Sequence, residues 1–244
     1  MRLFELAYCC DVYSHLAGYD SATVELRAAT GAAVNPSRER HIPPLFNWLR
    51  RWGCRQFAIA DEEIAHKSLV TWWGVWRHRL PPVNRTLDAI SDVGLDAIAS
   101  AYEELRGRQA SWQHRTTGRV TRTFGPAGAA KTLYAIRPNA CSPWDEAIRA
   151  QFGLRDTGDG YRRHLVRVRA ELAEAVADIG PGGSAKQLPA LLGRADSSPA
   201  KLVDEHDWAR FTRGFEPPAA EVLGRWADWA SLRVAPSALA EGSG

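Results

Sequence analysis

The feature that most constrains this chain is the recurrence of large apolar residues at helical spacing. Leu45, Trp48, Leu49 and Trp52 stand at i, i+3, i+4 and i+7, behind Pro44, which suits a first helical turn, and ahead of Gly53, which suits a stop. Ala65, Leu69, Trp72, Trp73, Trp76 and Leu80 repeat the pattern between the acidic start Asp61-Glu62-Glu63 and the break Pro81-Pro82. Leu95, Ile98, Tyr102 and Leu105 give a third helix from Gly94 to Arg106. The same reasoning predicts helices at Pro126–Ile136, Ser142–Phe152, Tyr161–Ile179, Gln187–Leu192, Pro199–Thr212 and Pro217–Val234. No run of β-branched residues alternates with period two, so no central sheet is expected. The fold class is all-α.

A chain of 244 residues with ten Trp can fill one large core. We expect a single helical domain over 1–234, a sub-boundary near 180–184 where Gly180-Pro-Gly-Gly-Ser184 interrupts the pattern, C-terminal helices over 185–234, and a disordered tail at 235–244. No apolar run approaches the roughly 18 residues of a membrane span, and Glu5 and Asp11 break the N-terminal stretch too early for a secretory signal. A cytoplasmic monomer is the expectation. Cys9, Cys10, Cys54 and Cys141 form no CxxC pair, and the seven His residues show no metal spacing, so neither a metal nor a cofactor is expected.

Charge is unevenly placed. Between Leu105 and Trp144 there is no Asp or Glu, while Arg106, Arg108, Arg115, Arg119, Arg122, Lys131 and Arg137 are all cationic. With a formal net charge of only +3, the rest of the chain is net acidic. Such a window suits a phosphate backbone. From Arg108 to Phe124 the helical period fails and polar residues dominate, which reads as an exposed loop with TGRVTRTF as a short β-hairpin.

The densest constellation is Phe124-Gly-Pro-Ala-Gly-Ala-Ala-Lys131, followed by Ser142-Pro-Trp-Asp145-Glu-Ala-Ile-Arg149. A Gly-rich turn opening a helix presents backbone N–H groups to an anion. Ser142, Pro143 and Asp145 fit the N-cap, N1 and N3 positions of the next helix. Together these residues resemble the helix-hairpin-helix superfamily of base-excision DNA glycosylases. That resemblance implies a helix-hairpin-helix element with Gly125, Ala127 and Gly128 on the DNA backbone, Asp145 as the catalytic carboxylate and Lys131 as the catalytic-site lysine. Arg115, Arg119, Arg122 and Arg149 would join the backbone contacts to double-stranded DNA, and Trp144 and Trp112 would wall the base pocket.

Cleaving an N-glycosidic bond builds positive charge on the sugar, which a nearby carboxylate stabilises while it orients or deprotonates water. A neutral Lys131 would instead form a Schiff base. The water route, hence a monofunctional glycosylase, is the expectation. Its substrate would be a damaged base in repair or a modified base, such as a substituted cytosine of phage DNA, in antiviral defence. Two readings compete. One is a DNA- or RNA-binding protein without chemistry, in which Asp145 only caps a helix; the other is an all-α interaction or toxin-type protein whose arginines meet an acidic partner.

Overall fold

The computed structural model describes residues 1–116 and 118–226, with the side chains of Tyr19, His114 and Arg115 outside that description. The tail at 235–244 and the part of the last expected helix after residue 226 lie outside the described residues; residues 220–226 are helical.

The order is α1 (Leu3–Leu16), α2 (Tyr19–Thr30), α3 (Ile42–Arg51), α4 (Glu62–Trp76), α5 (Asp92–Gly107), β1 (Gln109–Arg115), β2 (Gly118–Thr123), α6 (Gly125–Ile136), α7 (Glu146–Gln151), α8 (Gly158–Ala177), α9 (Leu188–Leu191) and α10 (Pro199–Asp207), which runs on as a π-turn over Trp208–Thr212. The expected all-α class holds, with one antiparallel ribbon, β1–β2, among the described residues. Every apolar position named for α3, α4 and α5 is buried. Gly53 does stop α3, in the left-handed region at φ 80°. α5 instead begins at Asp92, capped by Ser91, whose hydroxyl accepts from the Gly94 amide.

Three features depart from the sequence expectation. The loop expected from Arg108 is strand as early as Gln109: the ribbon is anchored where β1 packs on α4 and Asp61 accepts the Trp112 amide at 3.0 Å. Its polar composition hides this, because only the root is buried. Next, α7 starts three residues later than expected. Asp145, not Ser142, is its N-cap, and the buried Ser142 hydroxyl donates to the Pro143 and Ala200 carbonyls. Finally, Gly180–Ser184 is a turn, and Leu172 and Ala175 before it and Ala185 and Leu188 after it belong to the same buried cluster.

α10 occupies the centre, and all nine of its residues are buried although five are titratable. Burying charge is costly without partners. Each carboxylate has one: Lys201 Nζ lies 2.6 Å from Asp204, Arg194 forks onto Glu205 at 2.9 and 3.1 Å, and Arg167 clasps Asp207. α8 packs against α10 and α5, and the crossing with α5 is close at Gly158, where a Cβ would sit 2.7 Å from the Ala99 carbonyl oxygen.

Candidate functional site

A cleft of about 70 Å³ is lined by Tyr13, Trp52, Lys131, Pro143, Trp144, Asp145, Asp204 and Trp208. Each wall comes from a different element: Tyr13 from α1, Trp52 from the end of α3, Lys131 from α6, Asp145 from the start of α7, Asp204 and Trp208 from α10 and its π-turn. Lys131 and Asp145, the two residues that the resemblance assigns to catalysis, border the same space.

Both oxygens of the Asp145 carboxylate are engaged. Oδ1 accepts from the Ile148 amide at 2.9 Å, which satisfies an orphan donor of the first turn of α7, and Oδ2 accepts from the Thr212 hydroxyl at 2.8 Å. Such double anchorage fixes the carboxylate's direction. Lys131 Nζ donates to the Trp52 carbonyl at 2.5 Å and lies 5.7 Å from the centre of the Trp52 ring. Lys201 Nζ lies 5.3 Å from that ring and 4.1 Å from the Tyr13 ring, so two cations flank the aromatic wall. Asp204 is pushed up to about 6 by burial, against the opposing pull of Lys201, with the Asp145 charge adding to the rise.

The other expected residues divide by position. Gly125 and Ala127 form the half-buried first turn of α6, but that turn follows strand β2, and α5 and α6 are joined by the ribbon. The two-helix hairpin implied by the resemblance is thus replaced by helix, β-ribbon, helix. Gly128 is buried: a Cβ there would overlap Gln56 Nε2 and approach Phe57 Cε2 to 3.2 Å, so this glycine serves close packing. Trp144 borders the cleft, yet its indole is fully buried, packed against Tyr102, Tyr161 and His164, with Nε1 donating to Pro126 O at 3.4 Å. It is a floor of the core, not a stacking plate. Trp112 is half-buried on β1 and does not line the cleft. Arg149 lies over the Trp144 ring, 5.4 Å from its centre. His164 is wholly buried.

Arg119 is exposed and Arg122 half-buried, with Arg122 Nη1 donating to the Arg55 carbonyl at 3.4 Å. Arg115 occupies the end of β1 opposite Gly118 in the register.

No family model, curated protein or solved structure matches this chain.

Tyr13, Trp52, Asp204 and Trp208 were not singled out from sequence as site residues. Trp52 read as one more apolar helix position, which it also is. Asp204 and Trp208, four apart on a helix, carried the one available signal, a carboxylate and an indole on the same face. One further cluster, Glu171, His206 and Asp207, brings three ligand atoms within 4.8 Å of one another. Arg167 already bonds both carboxylates there, at 2.7 Å to Glu171, and supplies the positive charge a metal ion would bring. No described helix is long and apolar enough to cross a membrane.

Proposed function

We propose that this protein is a monofunctional DNA glycosylase that flips a damaged or modified base out of double-stranded DNA and hydrolyses its N-glycosidic bond. It would act in the cytoplasm, as a monomer, without metal or cofactor. The observation that carries the reading is the shared cleft: an anchored carboxylate, Asp145, and a lysine, Lys131, border a space walled by Trp52, Tyr13 and Trp208. A flipped base needs aromatic walls and polar groups for its edge, and at about 70 Å³ this cleft has to widen to admit one. Asp204 supplies an acceptor for ring or amino N–H donors, as on a guanine-like or cytosine-like edge.

In this reading the C1′–N bond breaks with its electron pair leaving on the base, and positive charge develops on the sugar. Asp145 stabilises that charge and accepts a proton from the water that attacks C1′. Lys131, tied to the Trp52 carbonyl, acts as a fixed cation near the backbone, which favours water as nucleophile.

The double anchorage of Asp145 also favours a second reading, a DNA-binding protein in which the carboxylate only caps α7. Asp145→Asn separates the two. Asn keeps an oxygen for the Ile148 amide, so the cap survives, while the charge is lost. We expect base release, measured by free base or alkali-labile sites on duplexes of varied modification, to fall by a factor on the order of 100 or more with DNA affinity retained. A folded Asp145→Asn protein with full excision activity would remove catalysis from this site.

A further inference from the structure

The register of the ribbon separates its arginines. Arg119 pairs with His114, and Trp112 with Thr121; Arg122 pairs with Ser111, and Val120 with Gln113. Cross-strand partners share a face and successive residues alternate. Arg119, Thr121 and Trp112 therefore lie on one face, and Arg122, Val120 and Gln113 on the other. Five of the six residues of β2 are exposed, with Val120 42% exposed between the two arginines. No acid lies within the ribbon; Asp61 accepts the Trp112 amide, and Glu104 holds Arg108 and the Trp76 indole, the latter at 2.7 Å.

We propose that the β1–β2 ribbon enters the major groove of duplex DNA, with Arg119 on the phosphates of one strand and Arg122 on those of the other. A flat polyanion or an acidic protein face would engage one side only, whereas a groove presents phosphate on both. The major groove, about 12 Å wide, admits a two-stranded β-ribbon. The ribbon is also connected to elements that carry cleft residues. Arg122 bonds the carbonyl of Arg55, three residues beyond the cleft residue Trp52, and β2 runs through Phe124 directly into α6, which carries Lys131. DNA held by the ribbon would then be tied, through α3 and α6, to the elements that carry Trp52 and Lys131. This inference rests on the DNA reading above and not on the hydrolytic step.

The test is hydroxyl-radical footprinting of the full chain on a defined 30-base-pair duplex, with the salt dependence of binding measured in parallel. Arg119→Ala and Arg122→Ala should each lower the log–log salt slope by about 1 unit. Each should also erase protection on a different strand. Arg122→Lys should restore the slope lost in Arg122→Ala, which separates a lost phosphate contact from a disturbed ribbon root. Loss of protection on the same strand in both variants, or an unchanged slope in either, overturns the two-sided placement. If the unmodified protein binds no duplex at any salt, the DNA reading itself falls. If it binds and releases base while both alanine variants keep their slopes, only this inference falls.

Discussion

The Thr212 hydroxyl donates to Asp145 Oδ2 at 2.8 Å, joining the π-turn after α10 to the first turn of α7. The π-turn suits this reach. In an α-helix a step of four residues overshoots a full turn by about 40°, so Asp204, Trp208 and Thr212 would drift around the helix. The wider turn after Asp207, closed by the Arg213 amide on the Trp208 carbonyl at 3.0 Å, rotates less per residue and undoes the drift. Asp204 and Trp208 face the cleft, and Thr212 meets the carboxylate at its edge.

Thr212→Val should therefore release one oxygen of Asp145 while the Ile148 bond persists. We expect kcat for base release to fall roughly 10-fold, the loss of one positioning hydrogen bond worth on the order of 1.5 kcal/mol, with KM unchanged. Thr212→Ser should restore most of it. An unchanged kcat, or a Ser variant as impaired as Val, would mean that the π-turn does not orient Asp145.

Lys131 donates to a main-chain carbonyl and lines the cleft without any ion pair among the described contacts. If water is the nucleophile, Lys131→Ala should keep base release within about 10-fold of the parent while weakening DNA binding modestly, as expected for one lost charge. Borohydride should trap no covalent protein–DNA adduct with the unmodified protein. Trapping that disappears in Lys131→Ala would establish Schiff-base chemistry in place of hydrolysis.

Much of the helical framework was legible because the large apolar residues of α3, α4 and α5 repeat at the helical period, and all of those named are buried. Asp145 stood out in a helix-cap pattern, and it does cap α7; Lys131 came only with the resemblance. The remainder of the cleft was not legible, for a physical reason. Tyr13 and Asp204 are 191 positions apart, and nothing local in Lys201-Leu-Val-Asp-Glu-His-Asp207 says that a highly charged helix is central. Its burial depends on cations contributed by Arg167 and Arg194, which only the tertiary fold brings near. The ribbon was half legible for the converse reason: its exposed strand has a turn signature, whereas the other strand is specified by packing on α4.

Asp204 gives the site an acid limit. Its carboxyl group, pushed up to about 6 by burial, takes a proton as the pH falls through that value and then no longer offers two acceptor oxygens. KM for the excised base should rise below about pH 6, and Asp204→Asn should make KM higher but flat across pH 5–7. An unaltered acid limb in Asp204→Asn would assign that limb elsewhere.

Stability should respond to acid through a different residue. His164 is wholly buried between Trp144 and Tyr161, with Nε2 3.3 Å from the Pro143 carbonyl and Nδ1 3.3 Å from Arg167 Nη2. This geometry holds a neutral ring that donates through Nε2 and accepts through Nδ1. Burial, reinforced by the Arg167 charge and opposed by Asp207, lowers it from 6.5 to about 3. Because the folded value lies below the unfolded one, the unfolded chain binds the extra proton first. The contribution of His164 is therefore fully present above about pH 6.5 and is lost progressively as the pH falls toward 3. His164→Gln offers the same donor and acceptor without titrating. We expect that variant to show a smaller drop in Tm between pH 7 and pH 5 than the parent, measured by thermal unfolding at matched ionic strength. An equal drop in the two proteins would show that the acid sensitivity comes from other groups and that His164 is not the residue whose protonation opens the core.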